Sequence, residues 1–146
     1  MSAEASQPKK KSKKETPFFR AVFPNGAALA SLCKMLKTLT NDVNFEATSD
    51  ELSFNERDAS SVAMFVGKFS RDYFDEYACA RNTTFGISTK WIMLYLNFAK
   101  GDTKIAFELY ASAEDVLYVK ISHQNGKLDT FEVRKNIFKA PRFLRI

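Results

Sequence analysis

A single histidine, His123, leaves little material for imidazole-based acid–base or metal chemistry. It falls in a segment that reads as a hairpin loop, where a solvent-exposed turn residue is expected. Cys33 and Cys79 are the only cysteines. With no second pair at ligand spacing they form neither a disulfide framework nor a zinc site, and both read as reduced core residues. No H-E-x-x-H, phosphate-loop or dinucleotide pattern occurs. Apolar runs fall far short of the roughly 20 residues a membrane span needs, so no membrane association is expected. No apolar h-region sits near Met1, which argues against secretion. Carboxylates cluster at Glu56 and Asp58, and at Asp72, Asp75 and Glu76. Without a metal or phosphate-binding partner these specify no reaction, and turn and surface positions are expected for them. The sequence therefore offers no catalytic residue, no metal ligand set and no cofactor motif.

What is present is a globular chain with an unusual tail. The 146 residues are enough for one domain with a real core but not comfortably for two. A hydrophobic fraction of 45% and 14 phenylalanines exclude wholesale disorder. The net charge of +5 is uneven: residues 1–17 hold five lysines against Glu4 and Glu15, giving +3 and leaving +2 elsewhere. Lys9, Lys10, Lys11, Lys13 and Lys14 lie in a run without a large apolar residue, which cannot offset its ordering entropy by burial. A disordered basic tail is expected over 1–17, and the run has the form of a nuclear-import signal, placing the protein in the nucleus.

From Phe18 the pattern becomes that of folded elements. Phe19, Ala21 and Phe23 alternate as a short strand ended by Pro24-Asn25-Gly26. Leu29, Leu32, Cys33, Leu36 and Leu39 recur at helical intervals and predict a buried face, with Lys34 and Lys37 exposed beside Ala27, Ala30 and Ser31. Val43, Phe45 and Ala47, then Leu52 and Phe54, predict a hairpin across Thr48-Ser49-Asp50. Val62, Met64 and Val66 alternate in a next strand, and Tyr77, Cys79 and Arg81 share a face of another. A second helix is expected over 89–99, capped by Ser88 or Thr89, with Ile92, Tyr95, Leu96 and Ala99 inward. Ile105, Phe107 and Leu109, then Leu117, Val119 and Ile121, read as strands, and Asn125-Gly126 turns the chain into a last strand over 129–134. Two helices distant in sequence among roughly eight or nine hairpin-linked strands predict an α+β domain with helices packed on antiparallel sheet.

The segment from Asp58 to Gly86 carries a more specific pattern. Asp58, Ser60 and Val62 stand in a turn and strand, Phe74 and Tyr77 follow, and Cys79, Arg81, Asn82 and Gly86 come after in order. This resembles the N-terminal domain of the eukaryotic sliding clamp family, proliferating cell nuclear antigen (PCNA). The resemblance runs from Phe19 to Ala99 and more loosely to about Ile137. It implies a single DNA-clamp (processivity-fold) domain over 18–138, with 139–146 beginning an interdomain linker or forming a C-terminal tail. In that family two helices per domain line the inner wall of a ring and sheets form its shell.

The resemblance implies that the chain acts by encircling duplex DNA as a polymerase processivity factor in replication and repair, with no reaction and no cofactor of its own. Lys34, Lys37, Lys90 and Lys100 are the implied DNA contacts, touching phosphates without reading bases. Ala30, Ser31, Leu94 and Asn97 stand where the family typically has lysines, so the isolated domain is expected to hold duplex DNA weakly. Arg57, Ser61 and Val62 fall on the implied partner-peptide surface, where Arg57 replaces a hydrophobic side chain and Ser61 a histidine. Asp129, Thr130, Phe131, Glu132, Val133 and Arg134 form the implied subunit interface with another copy or a full-length clamp subunit. Proline at Phe131 or Val133 is expected to weaken that pairing without unfolding the core. DNA polymerase and clamp loader are further implied partners. Two alternatives remain: a clamp-fold interaction protein that no longer encircles DNA and pairs with an intact clamp, and a nucleic-acid-binding module driven by its tail. Deleting residues 1–17 separates the last of these from the others.

Overall fold

The computed structural model describes residues 15–58, 60, 62–97, 99 and 102–134. The lysine run at 9–14, Ser61, Lys100 and the segment 139–146 lie outside these residues. In chain order the elements are β1 (Phe19–Phe23), α1 (Gly26–Leu39), β2 (Asp42–Ala47), β3 (Glu51–Arg57) and β4 (Met64–Ser70), then a short 3-10 turn at Arg71–Tyr73. They continue with β5 (Glu76–Cys79), β6 (Thr83–Ser88), α2 (Thr89–Leu96), β7 (Lys104–Tyr110), β8 (Ala113–Ser122) and β9 (Leu128–Arg134).

The strands form two antiparallel sheets, one ordered β5-β1-β7-β8-β9 and the other β4-β3-β2-β6. Alternation sends Phe19, Phe23 and Phe107 inward from the first sheet and Phe45, Phe69 and Phe85 inward from the second. Their rings meet between the sheets: Phe23 lies 5.0 Å from Phe107 and 5.7 Å from Phe69, and Phe45 lies 5.3 Å from Phe85. Edge-to-face and offset pairs of this kind add to the burial of large apolar area. Tyr77 of β5 also ties the sheets. Its hydroxyl is 2.7 Å from the carbonyls of both Thr48 and Glu51 in the β2–β3 turn, and burial pushes its pKa up to about 12.

Both helices lie over this core through the expected faces. Leu29, Cys33 and Leu36 of α1 and Ile92 and Leu96 of α2 are buried, and burial pushes the Cys33 thiol up to about 12. Each helix is capped as its sequence suggests, Asn25 Oδ1 accepting from Ala28 N at 3.0 Å and Ser88 Oγ from Trp91 N at 3.5 Å. Gly126 takes the left-handed backbone expected of Asn125-Gly126, with φ 95°.

Several expectations are corrected. Leu32 is half-buried because it lies at the flank of α1, toward β4. The strand expected from Val62 begins at Met64, and Val62, Met64 and Val66 face solvent while Phe65, Gly67 and Phe69 turn inward. Gly67 sits directly over the Phe54 ring, where a Cβ would come within 2.3 Å of Cζ. The second helix stops at Leu96, with Asn97 as its C-cap, and Arg81 lies beyond the end of β5. Met93 joins its buried face. Glu56 is not a surface carboxylate: it continues the inward alternation of Leu52 and Phe54, is 4% exposed, and accepts from Asn44 N at 2.6 Å. His123 is half-buried, its Nε2 2.9 Å from Asp129 Oδ2.

On the opposite face of the larger sheet, strand alternation places Glu108 beside Arg20 of β1. Glu108 is 2% exposed and receives Arg20 Nη1, Lys120 Nζ at 3.0 Å and the Tyr110 hydroxyl at 2.7 Å. Burial alone would raise its pKa, but the hydrogen bonds from Tyr110 and Lys120 and the charges of Lys120 and Arg20 outweigh it and hold the carboxyl below its ordinary value.

Candidate functional surfaces

The outer faces of the helices form the first candidate surface. Thr89, at the start of α2, donates from Oγ1 to the Thr40 carbonyl at 2.9 Å, and its N–H donates to Asn41 O at 3.0 Å. This ties the C-terminal end of α1 to the N-terminal end of α2. Lys37 in the last turn of α1 and Lys90 in the first turn of α2 thus flank one junction, both exposed, as is Lys34. Lys37 is further favoured by the helix dipole at that end. Neither helix contains a carboxylate, so the face is positive without internal compensation. Ser31, Leu94 and Asn97 are exposed among these lysines, and Trp91, half exposed at 50%, has Lys90 Nζ 5.6 Å from its ring. The face offers point charges, which suit phosphates.

The second surface is the turn between β3 and β4. Asp58 closes it: Oδ1 accepts from Ala63 N at 3.0 Å, Oδ2 accepts from Ser60 Oγ at 2.8 Å, and Asp58 N donates to Ala63 O at 2.9 Å. The closure leaves Val62 87% exposed at the tip and Arg57 exposed at the end of β3, opposite Met64. An apolar strip of Val62, Met64 and Val66 therefore runs along β4, with Arg57 at its flank.

The third surface is β9, the strand carrying Asp129 to Arg134, which lies at the edge of its sheet. Its ladder decides which backbone groups are free. His123 N donates to Lys127 O at 2.8 Å, and the register continues without a break through Asp129↔Ile121, Phe131↔Val119 and Val133↔Leu117. In an antiparallel pair, alternate residues exchange hydrogen bonds. Phe131 and Val133 therefore point their N–H groups at β8, and the groups without a ladder partner among the described residues belong to Leu128, Thr130, Glu132 and Arg134. Proline at Phe131 or Val133 would break the internal ladder, contrary to expectation; the open edge is tested at Thr130 or Glu132. Phe131 also stacks on Tyr95 of α2, ring centroids 4.4 Å apart, while Val133 is buried.

Among the described residues no group of His, Cys, Asp and Glu is placed to hold a metal ion, and no helix is long and apolar enough to cross a membrane. Sequence reasoning did not single out Glu56 and Glu108 as buried; Glu56 lies in a strand fork beside Arg57, with its side chain inward, and Glu108 in an ion-pair network on the larger sheet.

Comparison with known proteins gives one answer. Residues 18–139 match the family model described as proliferating cell nuclear antigen, N-terminal domain. PCNA from Entamoeba histolytica superposes with a TM-score of 0.76 at 21% identity, over 83% of this chain and 48% of that one. PCNA from Thermococcus kodakaraensis gives 0.75 at 16% identity, over 81% and 46%. At these identities the structures speak for the fold, and the chain spans about half the length of each. Two helices on antiparallel sheets are thus shared with these clamps over about half of their length, and the chain belongs to the PCNA N-terminal domain family.

Proposed function

We propose that this protein is a non-enzymatic sliding-clamp component that serves DNA polymerase as a processivity factor in replication and repair. Family and fold support a sliding-clamp-type role. The observation that carries the finer reading is the carboxylate-free helical face bearing Lys34, Lys37 and Lys90. Set against duplex DNA as the inner wall of a ring, it neutralises phosphates of any sequence and permits sliding. Lys100 would extend the same charge. Arg57, Ser61 and Val62 would receive peptide segments of polymerase or clamp loader, and β9 would join a neighbouring clamp subunit.

Salt dependence of duplex binding tests the helical face. Each lysine withdrawn from the phosphates should reduce the slope of log affinity against log salt by about one. Lys34→Ala combined with Lys37→Ala should therefore flatten it by about two, measured by fluorescence anisotropy. An unchanged slope removes the duplex from this face. Exposed Ser31, Leu94 and Asn97 among the lysines favour a second reading, in which the domain pairs with an intact clamp and no longer encircles DNA. Binding to a full-length clamp without binding DNA would select it.

Nuclear localisation belongs to the same proposal and rests on Lys9, Lys10, Lys11, Lys13 and Lys14. Residues 1–17 fused to a fluorescent reporter should carry it into the nucleus, and alanine at Lys9, Lys10 and Lys11 should abolish this. Cytoplasmic retention of the unaltered fusion removes the import role.

A further inference from the structure

The outer face of α2 is apolar where it is most exposed. Trp91 is half exposed, and so is Leu94, which stands beside it because residues three apart are neighbours on a helix. Neither belongs to the core cluster, which takes Ile92, Met93 and Leu96 from this helix. Tyr95 is already engaged, stacked on Phe131, so the indole is the aromatic ring of α2 left open to a ligand. Around it the charge is of one sign. Lys34, Lys37 and Lys90 are exposed, and none has an ion pair among the described residues. Lys90 Nζ lies over the Trp91 ring, 5.6 Å from its centroid. The surface thus joins a flat π area to ammonium groups.

We propose that this surface binds single-stranded DNA, with Trp91 stacking on an unpaired base while Lys90, Lys37 and Lys34 neutralise the phosphates around it. In a duplex each base is covered above and below by its neighbours, so an indole on a convex helix meets only sugar and phosphate. In a single strand the base faces are open, and aromatic stacking beside a cationic track is the way such strands are held. Lys90 is close enough to Trp91 for one nucleotide to lay its base on the ring and its phosphate at the ammonium. Stacking does not read base edges, so the strand can have any sequence. Exposed Ser31, Leu94 and Asn97 keep the number of positive charges on the face low. A single strand asks for fewer, because it carries half the charge per length of a duplex. This rests on the reading of the helical face as a DNA surface; what it adds is the unpaired strand as ligand and Trp91 as the residue that selects it.

Anisotropy of three end-labelled probes with the full chain tests the proposal: oligothymidylate of about 16 nucleotides, an abasic strand of the same length, and a duplex of that length. Trp91→Ala should weaken oligothymidylate binding by about tenfold, the loss of one stacked base, and Trp91→Phe should recover most of it. Circular dichroism checks the folding of both. The slope of log affinity against log salt should stay unchanged in Trp91→Ala, whereas Lys37→Ala should reduce it by about 0.7. The abasic strand keeps the phosphates, so it should bind the wild type more weakly than oligothymidylate and be indifferent to Trp91→Ala. The duplex should lose less than the single strand. An equal loss on the abasic strand or the duplex would overturn the proposal, since the indole would then not be stacking on bases. Oligothymidylate binding that ignores Trp91 would overturn it too, assigning the strand to lysines alone. So would an acidic peptide of glutamate and leucine that binds through Trp91 when oligothymidylate does not, which would make the face a protein-docking surface. Duplex binding with a salt slope set by Lys34 and Lys37, but no Trp91-dependent binding of the single strand, overturns this proposal alone. Binding of neither removes the helical face from DNA altogether.

Discussion

Leu36→Ala should lower the free energy of unfolding by about 2 to 5 kcal/mol, whereas Lys37→Ala, one residue on, should change it by no more than about 0.5 kcal/mol. Leu36 is fully buried in the cluster that includes Leu29, Cys33, Ile92 and Leu96. Truncation removes apolar packing and leaves a cavity in a region held by both helices and both sheets, so collapse is restricted from several sides. Its carbonyl also accepts the capping N–H of Thr40 at 2.9 Å, so the site lies where α1 is tied to α2. Lys37 projects to solvent, and its small favourable interaction with the helix end is offset by the better helix propensity of alanine. Urea titrations of both variants check the contrast. Equal small losses would show that α1 does not cover the core through this face.

Glu108→Ala should destabilise by about 3 kcal/mol at neutral pH, the lower end of what breaking a buried ion pair costs. The lower end applies because Arg20 and Lys120 are each about one third exposed and recover part of their hydration when the carboxylate is lost. The pH dependence follows from the direction of the shift. Glu108 has a folded pKa below its ordinary value, so its ionised form stabilises the fold. That contribution is complete above the unfolded value of about 4.3 and disappears as pH falls through the folded value. The stability difference between wild type and Glu108→Gln should accordingly narrow below about pH 4. A difference constant from neutral pH into that range would show that packing, not charge, makes Glu108 important.

Much of this architecture is written in local periodicity. The 3–4 spacing of Leu29, Cys33 and Leu36 and the alternation of Phe19, Ala21 and Phe23 each identify a buried face directly. β6 is less legible because Thr83, Thr84 and Gly86 dilute its apolar signal, although Phe85 and Ile87 are buried. Along β4 two overlapping sets alternate, Val62, Met64 and Val66 against Phe65 and Phe69, and only the pairing of Phe54 with Gly67 decides which set is inside. Glu56 shares the parity of Leu52 and Phe54, yet residue type suggests solvent; the splaying of β2 from β3 gives its carboxylate a backbone donor. At the candidate surfaces, Lys34, Lys37 and Lys90 are exposed as their helical positions imply. The open and paired backbone groups of β9 depend on hydrogen-bond phase, which side-chain alternation does not encode.

Trp91 gives the molecule an optical property of its own. It is the sole tryptophan, and it stands half exposed on the helical face, outside the phenylalanine-rich core. Native indole emission should already resemble that of a wetted fluorophore, so the collapse of the core on denaturation would barely register in it, and amide dichroism is the better monitor of folding. The same position makes Trp91 an intrinsic reporter beside Lys90: quenching or a blue shift on adding a ligand would signal occupation of the helical face without any attached dye.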